Sequence, residues 1–199
     1  MKITKIQSAV KTAGRYNIFV DGEYSFSLDE NQLLDQKLVV GLEIQDAQLG
    51  QLKDESEFGK AYTRALELIM RRPRSEKEMR DYARRKKWSD EIYQKVLARL
   101  KDKSYVDDKK FAEFWLKARI GGKPTSKRKI SAELAQKGIS REIADSVTSS
   151  YSNEDELDTL KILVNKKQSK YPDEKKFMAY LASQGYRFDQ IKQVLSEED

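Results

Sequence analysis

The sequence predicts a mainly α-helical protein, an elongated tandem array of three helix-turn-helix-like repeats with three helices each, preceded by a small N-terminal α+β cap that contains a β-hairpin. Two observations predict this fold class. A pattern of helix cap, apolar face, corner and second helix recurs three times after residue 70. In the N-terminal segment, by contrast, apolar and polar residues alternate as they do in β-strands. Charged residues make up 36% of the 199-residue chain and hydrophobic residues 38%, which suits several small cores better than one deep core.

The strand signal is strongest in the hairpin segment from Tyr16 to Leu28. Two apolar runs flank Asp21-Gly22, a pair typical of the type I′ turn. Residues 2–9 are a candidate third strand, and residues 29–34 are a candidate helix that covers one face. We expect the aromatic residues of the hairpin to form its core rather than a base-stacking surface. They are Tyr16, Phe19, Tyr24 and Phe26.

The first repeat opens at Ser75, which stands three residues before Glu78 in the order of a capping box. Its anchor positions return without a gap in the second copy and with one inserted residue in the third. These anchors are Ser75, Met79, Ala83, Lys87, Trp88, Ile92 and Val96, then Ser126, Ile130, Leu134, Gly138, Ile139, Ile143 and Val147, then Asp173, Phe177, Leu181, Gly185, Tyr186, Ile191 and Leu195. Gly138 and Gly185 suit the left-handed residue that ends a helix, and Lys87 departs from that rule.

A further helical segment precedes each copy, so the repeating unit is predicted to be a three-helix bundle. The predicted domains are a cap over residues 1–55 and repeats over residues 56–106, 107–152 and 153–199. Pro73 is expected to end the long helix that starts near residue 45. Asp107 and Asp108 stand where the next helix begins, and we expect them to cap it.

Residue types absent from the sequence limit the possible chemistry. The chain has no cysteine and no histidine, which excludes disulfides, thiolate metal sites and the commonest general base. We therefore expect no catalytic residue, no metal, no cofactor and no enzymatic activity. A metal-dependent nuclease built on Asp107 and Asp108 is the enzymatic alternative, and it lacks further ligands.

No apolar segment reaches the roughly 20 residues of a membrane span, and we expect a cytoplasmic protein without membrane association.

Positive charge is concentrated in two segments. The net charge is +6, and the segment from Arg71 to Lys87 alone carries nine basic and three acidic residues; residues 123–129 add four bases and no acid. Such basic segments are typical of polyanion binding, and the alternative is a solvated helix face. The candidate binding residues are Arg71, Arg72, Arg74, Arg84, Arg85, Lys86, Lys87, Lys127, Arg128 and Lys129.

Several motifs in residues 60–150 resemble the RecX family of bacterial regulatory proteins, which modulate the RecA recombinase. The matching motifs are Ala65-Leu66-Glu67-Leu68-Ile69, Arg72-Pro73-Arg74-Ser75-Glu76, Val96-Leu97-Ala98-Arg99-Leu100, Tyr105-Val106-Asp107-Asp108, Ile130-Ser131-Ala132-Glu133-Leu134 and Lys137-Gly138-Ile139. Where many members have Gly-Pro before the middle helix of the second repeat, this chain has Pro124-Thr125-Ser126.

The resemblance implies tandem three-helix repeats that lie along the groove of a RecA filament on DNA. It implies damping of RecA ATP hydrolysis, strand exchange and coprotease activity during recombination and DNA repair, by a protein without enzymatic activity. We expect this protein to be a monomer. The implied partners are the RecA filament and single- and double-stranded DNA, bound without sequence preference. The alternative is a free-standing DNA-binding protein of helix-turn-helix type, although the basic helix has few asparagine, glutamine or serine side chains to read base edges.

Overall fold

The chain folds into a three-stranded sheet followed by helices, in agreement with the predicted fold class. The computed structural model describes residues 1–10 and 12–197. The strands are β1 (Ile3–Ser8), β2 (Arg15–Val20) and β3 (Glu23–Asp29). The helices are α1 (Glu30–Asp35), α2 (Asp46–Arg71), α3 (Glu76–Arg85), α4 (Asp90–Asp102), α5 (Asp108–Ile120), α6 (Lys127–Gln136), α7 (Arg141–Thr148), α8 (Asn153–Lys167), α9 (Glu174–Ser183) and α10 (Phe188–Glu197), with a 3₁₀ turn at Gln168–Lys170. Within the described ranges, no helix has the length and apolarity needed to cross a bilayer.

The N-terminal sheet is antiparallel in the order β1-β2-β3. The β2–β3 turn has φ values of 50° at Asp21 and 91° at Gly22, so both central residues are left-handed and the predicted type I′ turn is confirmed. The candidate third strand is β1, and the candidate helix is α1. Asp29 caps α1 through a reciprocal capping box with Gln32.

A β-bulge changes which hairpin residues are buried. Ile18 pairs with Phe26 but Phe19 pairs with Tyr24, so Ser25 is an extra residue on β3 and reverses the alternation before it. Tyr24 is therefore 54% exposed whereas Phe26 is 2% exposed, and the prediction that Tyr24 belongs to the core was wrong. Tyr16 and Phe19 are only half-buried. The core of this region consists of Ile3, Ile18, Val20, Phe26, Leu28, Leu38, Ile44 and Leu52.

Helix α2 packs against β3 and α4. A Cβ at Gly59 would lie 2.5 Å from the side-chain oxygen of Gln32, so a larger residue there would displace the Gln32 amide. The Gln32 amide donates to the Glu55 carbonyl oxygen at 2.8 Å. The helix ends at Arg71, and the extended residue Arg72 leads into Pro73, as predicted.

The chain divides into two compact units. The first unit contains Met1–Arg72 and Ala83–Asp102, and the second contains Pro73–Tyr82 and the chain from Lys103 onward. In the first unit, the Arg99 guanidinium lies 5.2 Å from the ring centre of Tyr62, which joins α4 to α2. In the second unit, helices α5–α7 and α8–α10 each surround a separate hydrophobic cluster. The domain boundaries at residues 55, 106 and 152 stay predictions.

Six apolar anchor residues of the repeat, two from each copy, are all buried. None is more than 3% exposed, so the predicted apolar face is confirmed in all three copies. They are Met79, Ala83, Ile130, Leu134, Phe177 and Leu181.

The corners after the three middle helices share one backbone conformation. Gly138 and Gly185 have φ values of 81° and 95°, and Lys87 has a φ of 56°. The hydrogen bonds also agree: Gly138 N donates to Ala135 O at 2.9 Å, and Lys87 N donates to Arg84 O at 3.0 Å. Lys87 thus departs from the rule in residue type alone, because its backbone takes the left-handed conformation that favours glycine.

Leu134→Ala should lower the free energy of unfolding by about 2–5 kcal/mol, because the fully buried side chain leaves a cavity in the α5–α7 core. Urea denaturation followed by circular dichroism measures the change. Glu142→Ala, at an exposed position on α7, is the control and should change the free energy by less than about 0.5 kcal/mol. Equal effects of the two substitutions would contradict the assignment of Leu134 to the core.

Lys87→Gly should raise the free energy of unfolding by up to about 1 kcal/mol. Glycine removes the strain of a left-handed non-glycine residue, which costs about 1–2 kcal/mol. The greater conformational entropy of glycine in the unfolded chain offsets part of this stabilisation. Lys86→Gly is the matched control, since Lys86 lacks a positive φ, and it should destabilise the protein. Denaturation midpoints of both variants test the corner geometry. A Lys87→Gly variant less stable than the parent would refute it.

Candidate polyanion and partner interface

The ten predicted binding cations fall in both compact units. In the first unit, Arg71 and Arg72 lie at the end of α2, and residues 84–87 form the end of α3 and the following corner. We call residues 84–87 the α3 basic end. In the second unit, Arg74 precedes α3, and residues 127–129 form the first turn of α6, which we call the α6 basic turn.

The α3 basic end places cations where a helix favours them. All four of its residues are exposed, and they lie at the C-terminal, partly negative end of the helix dipole. The side chains of Arg84 and Lys87 form no hydrogen bond or ion pair with any residue in the described ranges, and the same is true of the Arg71 side chain. Their charges are therefore available to an external anion.

The α6 basic turn lies at the opposite, positive end of a helix, and no acidic residue stands in that turn. Two of its three cations have partners: Lys127 Nζ donates to Asn153 Oδ1 at 2.7 Å, and Lys129 Nζ donates to Gln184 Oε1 at 2.8 Å. The guanidinium of Arg128 is exposed and has no acceptor among the described residues. Arg128 is thus the member of this turn best placed to bind an external anion.

Lys127 and Lys129 belong to a contact that we call the α6–α9 junction. Its centre is Ser126, which is fully buried. The Ser126 hydroxyl accepts a hydrogen bond from Lys129 N at 3.2 Å and donates one to Gln184 O at 2.8 Å. The Glu156 carboxylate accepts the Lys127 backbone N–H at 2.7 Å. One serine therefore caps α6 and binds the end of α9.

The same arrangement recurs in the α3–α6 junction, within the same unit. The Ser75 hydroxyl accepts from Glu78 N at 3.2 Å and donates to Lys137 O at 2.7 Å. The Asp108 carboxylate accepts from Glu76 N at 2.8 Å. The half of the predicted capping box that uses the serine hydroxyl is thus confirmed.

The Glu78 carboxylate of the predicted capping box also bridges two cations. One oxygen binds Lys137 Nζ at 2.8 Å, and the other lies 3.8 Å from Arg74 Nη1. Arg74 is therefore part of a partly shielded ion pair. This pairing leaves Arg74 less available to an external anion than Arg84 or Arg128.

Each junction contains a glycine at which the neighbouring helix approaches closely. A Cβ at Gly138 would lie 2.6 Å from Lys77 Cβ, and a Cβ at Gly185 would lie 2.5 Å from Ser126 Oγ. Both distances are too short for any side chain. Gly138 and Gly185 are thus required both by their positive φ and by the closeness of the neighbouring helix.

The two aspartates considered for metal binding act as helix caps. Asp107 Oδ1 accepts from Lys109 N at 2.9 Å and from Lys110 N at 3.0 Å, which confirms its predicted role on α5. Asp108 lies inside the first turn of α5 and caps α3 instead, so its predicted role is corrected. Residues 1–10 and 12–197 contain no group of three or more acidic side chains placed to hold a metal ion.

Three family models match the chain in order. The N-terminal domain of regulatory protein RecX matches residues 1–45, the first RecX three-helix domain matches residues 61–100, and the second matches residues 107–147. A RecX regulatory protein from Listeria monocytogenes serotype 4a (strain HCC23) is 34% identical over 99% of this chain and 76% of its own length. The chain belongs to the RecX family of regulatory proteins.

Other RecX proteins support the same assignment. The regulatory protein RecX of Clostridium acetobutylicum is 32% identical over 98% of this chain and 95% of its own length. A crystal structure of a regulatory protein RecX superposes with a TM-score of 0.81 and 25% identity over 98% of both chains. RecX from Lactobacillus salivarius has a TM-score of 0.65 over 71% of this chain and 96% of its own, at 22% identity, and supports the fold.

One surface of this RecX chain was missed by the sequence reasoning. A groove of about 470 Å³ between α5 and α7 has a floor that includes Leu116 and Val147, and Lys109 and Lys117 stand on its rim. The sequence contains one pattern that could have indicated this groove. Lys109, Glu113 and Lys117 are spaced four residues apart, which places all three side chains on one helix face.

Gly138→Ala should lower the free energy of unfolding by roughly 2–4 kcal/mol, because it combines left-handed strain with the contact against Lys77. Gly22→Ala is the control: it has a φ of 91° but open space around its Cβ position, so it reports strain alone. Chemical denaturation of both variants measures the difference. If the two substitutions cost the same, close packing at the α3–α6 junction contributes nothing.

Proposed function

We propose that this RecX-family protein binds RecA and RecA–DNA filaments and modulates RecA, mostly by inhibiting its ATPase, strand-exchange and coprotease activities in recombination and DNA repair. Family membership is the observation that carries the proposal. The protein acts by binding rather than by catalysis, as a monomer in the bacterial cytoplasm.

The unpaired cations support a role for electrostatics in this binding. Arg71, Arg84 and Lys87 in the first unit and Arg128 in the second are exposed and free of internal partners within the described residues. Contacts from such side chains to phosphates carry no sequence information and weaken as salt is added. Acidic side chains on a filament protein would be bound by the same cations.

Binding affects a filament through one of two routes. A protein that covers the growing end stops the addition of RecA, whereas a protein that binds one filament state more tightly shifts the population toward that state. The two routes differ in when the inhibitor acts. End blocking acts during assembly, and a shift of state acts equally on filaments that are already formed.

The test is the DNA-dependent ATPase rate of RecA while this protein is titrated in, both during assembly and on preassembled filaments. Suppression at well below one molecule per RecA protomer supports the proposal, and stronger suppression during assembly favours end blocking. No effect at any ratio, together with salt-dependent binding to naked DNA, would replace the proposal by the free-standing DNA-binding alternative.

Arg84→Glu and Arg128→Glu should each weaken binding to RecA–DNA filaments by about 5- to 30-fold, which corresponds to about 1–2 kcal/mol per reversed contact. Fluorescence anisotropy of labelled filaments measures the affinity. The substitutions have opposite expected effects on helix stability, because Arg84 lies at a helix C-terminus and Arg128 at a helix N-terminus. A loss of binding in both variants therefore cannot come from helix destabilisation.

Lys166→Glu is the matched control for Arg84→Glu. Lys166 is exposed in the last turn of α8, so its reversal changes the net charge and the helix-dipole interaction in the same way. It should bind as the parent does. Unchanged binding by folded Arg84→Glu and Arg128→Glu proteins, or an equal loss in Lys166→Glu, would remove these two residues from the interface.

A further inference from the structure

The first compact unit holds a second, differently built basic site. A cleft of about 770 Å³ lies between the sheet and α2, and we call it the Arg15 cleft. Its walls include Arg15, Asn17, Tyr24, Lys60, Arg64 and Glu67. None of these residues belongs to the α3 basic end or to the α6 basic turn.

Arg15 is a buried cation without a counterion. It is 6% exposed, and its Nε donates to Ser27 Oγ at 3.3 Å while its Nη2 donates to the backbone oxygens of Ser27 and Ser56. Nη1 has no hydrogen-bond acceptor within the described residues. No described carboxylate lies within ion-pair distance of this guanidinium. Native proteins rarely bury a charge in this way unless a partner compensates it.

The direction of the pKa shift of Arg15 agrees with this geometry. Burial lowers the pKa of Arg15, and the more distant negative charges of Asp29 and Glu57 offset this only in part. The neighbouring positive charge of Arg64 lowers the same pKa further. The positive potential of Arg15 is weakly screened beneath the cleft surface.

The remaining charges of the cleft add to this potential. Among the described residues, the lining contains three cations, Arg15, Lys60 and Arg64, and one carboxylate, Glu67. Lys60 is bound to Glu57 at 2.8 Å, whereas Arg64 is exposed and has no partner among the described residues. Arg64 can therefore contact an anion directly, above the buried charge of Arg15.

We propose that the Arg15 cleft binds a phosphate group, with Arg64 as the direct ligand and Arg15 as the buried charge beneath it. A phosphate group is an anion, opposite in charge to the two guanidinium groups of the cleft, and guanidinium groups are its preferred ligands. The group belongs either to free phosphate or to the backbone of a single-stranded nucleic acid. This inference does not depend on RecA.

The test is a titration of the full-length protein with inorganic phosphate, and separately with a short thymidylate oligonucleotide, at constant ionic strength. Two-dimensional NMR follows the backbone amides of Asn17, Ser27 and Thr63, which report on this cleft rather than on the other basic clusters. Saturable shifts of these amides are expected. If phosphate gives no shifts and the oligonucleotide does, the phosphate comes from nucleic acid. If neither ligand shifts them, the proposal is overturned.

Arg64→Glu should raise the Kd at these amides by at least about tenfold, because it replaces the direct ligand with a like charge. Lys53→Glu, an exposed reversal on the same helix and outside the cleft, is the matched control and should bind as the parent does. Arg15→Gln should also lose binding and stay folded, since it removes an uncompensated charge. If Arg15→Gln fails to fold, Arg64→Glu decides the question. Equal affinity of the Arg64→Glu and parent proteins would refute the site.

Discussion

A serine hydroxyl that makes two hydrogen bonds is the interaction on which the second compact unit depends. Ser75 and Ser126 each accept a bond from their own helix and donate one to the carbonyl that ends the middle helix of the next repeat. Both serines are fully buried, so losing either bond would leave a buried polar group unsatisfied. The corresponding Asp173 is exposed, and its carboxylate accepts the helix amide but has no proton to donate.

The junctions impose a second requirement on the following corner. The carbonyl that receives the serine bond belongs to Lys137 or Gln184, and the next residue is a left-handed glycine in close contact with the neighbouring helix. At Lys87 the backbone conformation is the same. The corner geometry is therefore a property of the repeat, and glycine is needed most where packing leaves no space for a Cβ.

These junctions also divide the basic residues by role. Lys127 and Lys129 use their ammonium groups within the protein, whereas Arg84, Lys87 and Arg128 have no such partner among the described residues. A count of charges along the sequence weights all of them equally. Interaction with a polyanion depends on the cations whose hydrogen bonds are not already used, and these are fewer than the ten basic residues that the sequence singles out.

The helical class, the three repeats, the hairpin turn and the caps at Ser75 and Asp107 follow from local signals in the sequence, such as capping residues, Asp-Gly turns and apolar periodicity. The RecX family follows from the resemblance of the motifs in residues 60–150. The surroundings of Tyr24, Asp108 and Arg15, in contrast, could be read only from the folded chain. A one-residue bulge at Ser25 turned Tyr24 outward, Asp108 caps a helix 32 residues earlier in the sequence, and Arg15 is buried by α2 contacts up to 41 residues away. Such outcomes depend on contacts between distant segments, which local patterns do not encode.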